Sequence, residues 1–361
     1  MKLAIYCPDL PPVPGGVSDH TLALARSLEE LGLPPVVLAC RGEPERFAPL
    51  RVRTGLGPRD VAAAARAEGA DAVLVQYVPF LYARRGLSPS LIAGVRAMHR
   101  AGLRVAVYVH EPFVPFTRLP WLVTGWPMRW QLAALLRRAA FVYAPVPRFV
   151  EIARRHARAA TAVRLVPVGA TLPVSAMGRK DARRLLGLDE GDVAVGAFSP
   201  HAAGFLHEWV AEAARRLVDD RRVVWVTFGH GSERLPAGLP SEARVLRLGT
   251  LSPEDAGNAM RALDVAVAPF FEGLTMRRTS AMLALAHGVP TVSSTGHLFD
   301  GRLGALAACE PTADAFAARL ASLVRDPAER RAWAEKAGAF DEVASIGALA
   351  RTLAADLGAS A

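Results

Sequence analysis

The 361 residues suffice for about two domains of about 100–200 residues each, which excludes a stapled miniprotein or a single small module. Hydrophobic residues at 52%, charged residues at 21% and a mean hydropathy of +0.22 exclude wholesale disorder and a coiled coil. A formal net charge of +9 favours phosphate-bearing partners or an anionic surface, yet adjacent basic residues come in pairs such as Arg84-Arg85, Arg137-Arg138, Arg215-Arg216 and Arg277-Arg278, so nucleic acid is not an expected partner.

The chain opens on a short apolar run, Leu3 to Cys7. A Pro/Gly loop follows, then a helical pattern from Ser18 that sets Leu24, Leu28 and Leu31 on one face and closes at Gly32. The pattern recurs as a strand at 36–40, a helix near 58–69, a strand at 72–77 (AVLVQY), a helix at 88–102, a strand at 104–109 (RVAVYV), a helix at 128–139 and a strand at 141–144. A helix near 148–157 and the strand VRLVPV come next, and 169–178 (GATLPVSAMG) loses periodicity and reads as a linker. The second series has strands at 193–198, 223–228, 244–249, 265–269 and 290–294, and helices at 312–337 and 342–358 end it. Continuous apolar strands alternating with amphipathic helices give an α/β fold class of two doubly wound parallel-sheet (Rossmann-like) domains, whose strand ends should face a shared cleft. The expected divisions are 1–168 for the first domain, 169–178 for the linker, 179–340 for the second domain, and 341–361 for a terminal helix that crosses back to the first.

Three widely spaced cysteines, Cys7, Cys40 and Cys309, form neither a disulfide framework nor a zinc motif. With no apolar signal core after Lys2, the expectation is a cytoplasmic chain. The stretch 279–299 is long enough to span a bilayer by count, but Gly288, Pro290, two histidines and a Ser-Ser-Thr run break it into helix, turn and strand. There is no GxxxxGK[ST], no HExxH and no GxSxG, and Pro14-Gly15-Gly16 is not GxGxxG, so NTPase, metalloprotease, serine hydrolase and nicotinamide chemistries are disfavoured.

Three segments stand out. In PGGVSDHT (14–21), Gly15 and Gly16 either let a ligand approach the backbone at a helix amino terminus or simply form a strand-to-helix loop. His110, in VHEPFVP after RVAVYV, stands at a strand's carboxyl end, either as a binding residue tuned by Glu111 or as a structural histidine. In PFFEGLTMRRTSAMLALAHGVP (269–290), the strand ends at Pro269 and Glu272-Gly273 makes the loop before a helix that Thr275 is expected to cap, with Met276, Leu283 and Ala286 on the buried face. The Glu272 carboxylate either caps that helix or accepts paired hydroxyls from a polyhydroxylated ligand.

The early Gly-Gly loop, the histidine after a later strand, FGHG after a second-series strand, and EG followed by ALAHGVPTV together resemble the retaining glycosyltransferases of the GT-B fold, in particular the large bacterial family 4. The resemblance implies a first domain that binds the acceptor and a second that binds a nucleotide-sugar donor, with no metal or other cofactor. It implies catalytic roles for His110 and Glu272. It brings Gly15 and Gly16 to the donor phosphates and the acceptor, and has the amides of Gly273 and Leu274 help Glu272 to hold sugar hydroxyls; the donor-side candidates are completed by Ser199, Gly229, Thr275, Arg277, Arg278 and Ser280, and Asp19 and Glu111 are the acceptor-side candidates. The acceptor, whether a sugar, a lipid-linked molecule or a small molecule, is left open.

Two positions depart from the family pattern. Ser280 stands where a second glutamate usually grips the nucleotide ribose, and the segment SPHAAGFLHEW (199–209) offers His201 and His207 in place of the usual Arg and Lys for the diphosphate. Arg277 and Arg278 are expected in the first turn of the following helix, where one of them would serve as the clamp unless Glu272 or solvent already balances their charge. A catalytically degenerate GT-B binder and a GT-B sugar-nucleotide epimerase using Glu111 and Glu272 are the alternatives. The segment 112–130, rich in Phe and Trp, packs in the core, lines an acceptor pocket or dips into the inner face of a membrane, and its prolines argue against one long amphipathic helix.

Overall fold

The computed structural model describes residues 2–13, 15–114, 119–229, 231–232 and 238–358, with the backbone alone for 119–122. The chain divides into two compact units, 1–167 with 346–361, and 168–345.

The first unit runs β1 (Leu3–Tyr6), α1 (Gly16–Glu30), β2 (Val36–Leu38), β3 (Arg51–Arg53), α2 (Val61–Ala67), β4 (Ala72–Tyr77), α3 (Pro79–Tyr82), α4 (Pro89–Arg100), β5 (Arg104–Val109), α5 (Leu119–Leu136), β6 (Phe141–Ala144), α6 (Pro147–His156) and β7 (Ala162–Leu165). All pairings in its seven-stranded sheet are parallel, in the order β3-β2-β1-β4-β5-β6-β7. The chain therefore works outward from β1 to β3 and then reverses to β4, so the strand order switches between β1 and β4.

The second unit runs α7 (Arg179–Leu185), β8 (Val193–Phe198), α8 (His207–Arg216), β9 (Val223–Phe228), β10 (Arg244–Arg247), α9 (Pro253–Ala262), β11 (Val265–Ala268), α10 (Thr279–Ala286), β12 (Thr291–Ser294), β13 (Ala308–Glu310), α11 (Ala313–Arg325), α12 (Pro327–Ala337) and α13 (Phe340–Ala344). Its six-stranded parallel sheet has the order β10-β9-β8-β11-β12-β13, with the switch between β8 and β11. The period of two along β8 explains the layering. Val193, Val195 and Ala197 pack under α8, α10 and α11, while Ala194 faces α7 and α9.

The chain then returns to the first unit as α14 (Ile346–Gly358), which packs against α1. Asp356 fixes it there, accepting from Arg164 at 2.5–2.9 Å and from the Tyr143 hydroxyl at 3.1 Å, while Arg104 donates to Leu357 O at 2.9 Å.

Several elements differ from the sequence expectation. Helix α1 begins at Gly16, and Leu31 lies past its end and is exposed. Strands β3 and β13 were not expected; each is three residues long and gains its definition from pairing, β3 beside β2 and β13 beside β12. The helix expected at 128–139 is α5, which begins at Leu119 and runs through Pro127. Pro120 falls in the first turn, where a missing N–H costs nothing, and Pro127 removes one bond from a helix packed against α4 and α6. The span 312–337 breaks at Pro327, and the last helical span breaks at Ser345.

Candidate functional site

In the second unit, two loops meet at the switch point, 199–206 after β8 and 269–278 after β11. Backbone bonds lace them together: Leu206 N donates to Pro269 O at 3.0 Å, and Phe271 N donates to Gly204 O at 2.8 Å. Glu272 lies in this seam, 9% exposed. Arg278 donates to its carboxylate, donates also to Ala203 O at 2.9 Å, and stacks on Phe270 with the guanidinium carbon 4.0 Å from the ring centre.

This geometry corrects three expectations. Helix α10 begins at Thr279 with Arg278 at its N-cap, so Thr275 does not cap it, and neither Arg277 nor Arg278 lies in its first turn. The reason is a turn closed by Arg278 N donating to Thr275 O at 3.0 Å, which delays the helix; the Thr275 hydroxyl is left fully buried without a partner. Glu272 pairs with Arg278 rather than capping α10. The amides of Gly273 and Leu274, expected to face sugar hydroxyls, are engaged within the fold, donating to Phe270 O at 2.8 Å and Ser294 O at 2.9 Å.

Other predicted residues surround the pair. Ser280 is buried in the first turn of α10, and Arg277 is half-buried. Ser199 adopts a left-handed conformation (φ 48°) and its amide donates to Phe228 O at 2.8 Å, while Gly229 (φ 91°) follows β9 so closely that a Cβ there would stand 2.5 Å from Ser199 Oγ. His230 of FGHG lies outside the described residues. His207 opens α8 with its ring centre 5.9 Å from that of His201; burial, and secondarily His201, holds its pKa below the usual imidazole value of 6.5. No group of three His, Cys, Asp or Glu among the described residues could hold a metal ion.

In the first unit, the polar residues gather at the strand ends beside its switch point. His110 follows β5 and is buried; its Nε2–H donates to Gln76 Oε1 at 2.7 Å, from the end of β4. Its ring lies 4.4 Å from that of Tyr108 and 4.9 Å from that of His20, which α1 supplies from the Gly-Gly segment. Gln76 Nε2 is buried with no partner. The structure thus gives His110 two close polar companions, Gln76 and His20, that the sequence reading did not assign; the signal for Gln76 was a lone amide within the apolar run AVLVQY. Asp19, in the first turn of α1, is half-buried, and burial raises its pKa above the usual carboxylate range. Gly15 caps α1 without a side chain, and among the described residues neither it nor Gly16 is demanded by packing: a Cβ at Gly15 would meet only Ser18 Oγ at 3.6 Å, and one at Gly16 would meet nothing within 4 Å. Pro14 lies outside the described residues, and Glu111, half-buried, follows His110.

Residues 193–326 match the family model "Glycosyl transferases group 1". No curated protein matches the sequence. Among solved structures, HepE from Anabaena in complex with UDP and glucose superposes with a TM-score of 0.71 at 16% identity, over 99% of this chain and 100% of that one. Sucrose-phosphate synthase from Thermosynechococcus elongatus gives 0.69 at 17% identity over 100% of both chains. A putative UDP-N-acetylglucosamine 2-epimerase from Listeria monocytogenes gives 0.65 at 13% identity, over 99% of this chain and 96% of that one. The chain has the GT-B fold.

Proposed function

We propose that the protein is a bacterial, metal-independent glycosyltransferase of the family 4 type that takes a sugar from a nucleotide-activated donor with retention of configuration. The observation that carries this reading is the Glu272–Arg278 pair, held at the switch point of the unit whose residues match the glycosyltransferase model. Open parallel sheets bind ligands at such points. A carboxylate that accepts sugar hydroxyls, beside a guanidinium that meets a diphosphate, is what a nucleotide-sugar requires. The binding of UDP by a structural neighbour supports the same donor class.

In this reading the second unit holds the donor, and Arg278 does the work of the missing basic pair. The first unit receives the acceptor through Asp19, Glu111 and the open backbone at Gly15 and Gly16, and His110, oriented by Gln76, acts on the transferred sugar. The bond from the anomeric carbon to the leaving phosphate oxygen breaks. A bond to the acceptor oxygen forms on the same face, and the acceptor proton passes to the departing diphosphate. No enzymic nucleophile is needed, and arginine charge offsets that of the diphosphate.

A thermal-shift panel of UDP, GDP, ADP, dTDP and their sugar conjugates tests the donor premise, since a ligand at about 100 times its Kd stabilises the native state by about 2.7 kcal/mol. If none moves the transition, the premise fails. With a donor in hand, NMR of the product's anomeric centre checks retention, and turnover that EDTA abolishes and a divalent ion restores would refute metal independence. The engaged amides of Gly273 and Leu274 and the hydroxyl at Ser280 favour one second reading, a GT-B protein that binds the nucleotide without turnover. Donor binding with neither transfer nor hydrolysis would select it.

A further inference from the structure

Helix α5 carries an apolar stripe turned to solvent. Val123, Trp126 and Trp130 are 76%, 69% and 59% exposed, although the opposite side of the same helix is fully buried through Met128, Leu132 and Leu135. At about 100° per residue the three, with Arg137, fall within an arc of about 60°. Two neighbouring exposed tryptophans on one helix face are costly to leave in water, and Trp is the residue that sits best at a membrane–water boundary, with its ring in the apolar layer and its N–H among headgroups.

The charge beside the stripe identifies what covers it. Trp130 forms one wall of a surface groove of about 430 Å³, whose other walls include Arg96 and His99 of α4, Arg137 and Arg138 after α5, and Arg158 after α6. Among the described residues, no carboxylate lines this groove. The guanidinium of Arg138 feels desolvation and then three like charges, Arg96, Arg158 and Arg137, all of which lower its pKa. By contrast, Arg148 of α6 is paired with Glu151, and Arg215 and Arg216 of α8 are paired with Glu212. A cluster of cations without counter-charge, contiguous with exposed aromatics, matches a surface that is both anionic and apolar.

We infer that α5 and the arginine groove beside it form a docking face for an anionic phospholipid bilayer, on which the first unit lies peripherally. The helix lies along the surface rather than across it, because its other side is core, and no helix among the described residues is long and apolar enough to cross a membrane. Val123, Trp126 and Trp130 enter the interface while Arg96, Arg137 and Arg158 meet lipid phosphates. This inference is independent of the donor reading, which concerns the second unit, and either can fail alone.

The test is co-sedimentation of the full chain with vesicles of phosphatidylcholine, with and without a quarter of phosphatidylglycerol, at low and high salt. The wild type should partition onto the anionic vesicles and be released by salt. The double variant Trp126→Ser/Trp130→Ser should lose about tenfold or more in partition at an unchanged unfolding midpoint, because both side chains are exposed. Arg137→Gln/Arg158→Gln should lose about fivefold per arginine. Three results would overturn the inference: a wild type that stays in the supernatant, a tryptophan variant that binds undiminished, or a wild type that sediments as a dimer that Trp126→Ser dissociates. Failure to bind vesicles combined with binding of inorganic phosphate that the arginine variant loses would also overturn it, in favour of a soluble phosphate ligand.

Discussion

Substituting the two members of the Glu272–Arg278 pair one at a time separates a structural ion pair from a ligand clamp. Their side chains are 12% and 11% exposed, so Glu272→Gln leaves a guanidinium, and Arg278→Gln a carboxylate, largely removed from water. Breaking such a pair from one side costs about 3–5 kcal/mol. Ala203 O and the Phe270 ring still solvate Arg278, and the glutamine amide keeps one polar contact, which puts Glu272→Gln near the lower bound of about 3 kcal/mol. For a unit of this size about 1 kcal/mol moves the midpoint by about 2–4 °C, so Glu272→Gln should unfold roughly 6–12 °C below wild type and Arg278→Gln roughly 6–20 °C below it. The responses to nucleoside diphosphate should differ. In Glu272→Gln the uncompensated guanidinium gains a new counter-charge from the diphosphate, and saturating ligand should recover about half of the lost midpoint or more while transfer falls about tenfold or more. In Arg278→Gln the buried carboxylate repels the diphosphate, so binding weakens by about tenfold or more and little stability returns. Differential scanning fluorimetry with and without the diphosphate, together with calorimetric Kd values, reads both effects. Equal ligand responses in the two variants would refute the clamp, and unchanged midpoints would refute the energetic importance of the pair.

Gly16→Ala should leave the unfolding midpoint unchanged or raise it slightly, since the new Cβ meets nothing and alanine favours a helix, yet it should slow transfer if substrate approaches that backbone; full activity would remove Gly16 from the site. Stability should be greatest above about pH 6.5 and decline below it. Burial lowers the pKa of His207 and His287 in the fold, so the unfolded chain takes up protons first as pH falls; His287 accepts from Ser175 N at 3.0 Å while its Nδ1–H donates to Leu283 O at 2.8 Å, and a chain carrying His207→Gln and His287→Gln that kept the full slope would exclude these two as its source. Asp356→Ala should cost about 1–3 kcal/mol and free α14 to faster amide exchange, because Tyr143 and Arg164 lose their shared acceptor; unchanged exchange would show that apolar packing alone holds the helix.

The alternation of apolar strands with helices was legible because a sheet covered on both faces demands it, and the principal strands of both units stand where that pattern put them. β3 was not legible: Arg-Val-Arg carries one apolar residue, exposes both arginines, and becomes a strand only by pairing with Val36, Val37 and Leu38. The length of α5 was hidden by treating Pro127 as a breaker, when packing against its neighbours outweighs one lost hydrogen bond. At the site, His110 was visible as a polar residue directly after a strand, and Glu272 as one in the loop that follows a strand. What joins Glu272 to Arg278 and Ala203, or His110 to Gln76 and His20, is contact across separate loops, and no local spacing encodes it.

The glycines show how geometry can redirect a sequence signal. Gly15, Gly16, Gly229 and Gly273 look alike as loop glycines near strand ends, and all four are candidates for the site on sequence alone. At Gly229 and Gly273 the fold itself requires glycine. A Cβ would meet Ser199 Oγ at 2.5 Å in the one and Gly296 N at 2.6 Å in the other, and both have φ near +90°, at 91° and 87°. Their glycines are explained without any ligand, and larger residues there would disturb the loops before they touched a substrate. At Gly15 and Gly16 neither φ nor packing among the described residues demands glycine, and the only described neighbour within 4 Å of either Cβ position is Ser18 Oγ. The space kept clear at the start of α1 is therefore the part of the glycine pattern that internal packing leaves unexplained. It lies at the amino terminus of α1, where the amides of Gly16 and Val17 carry the positive end of the helix dipole.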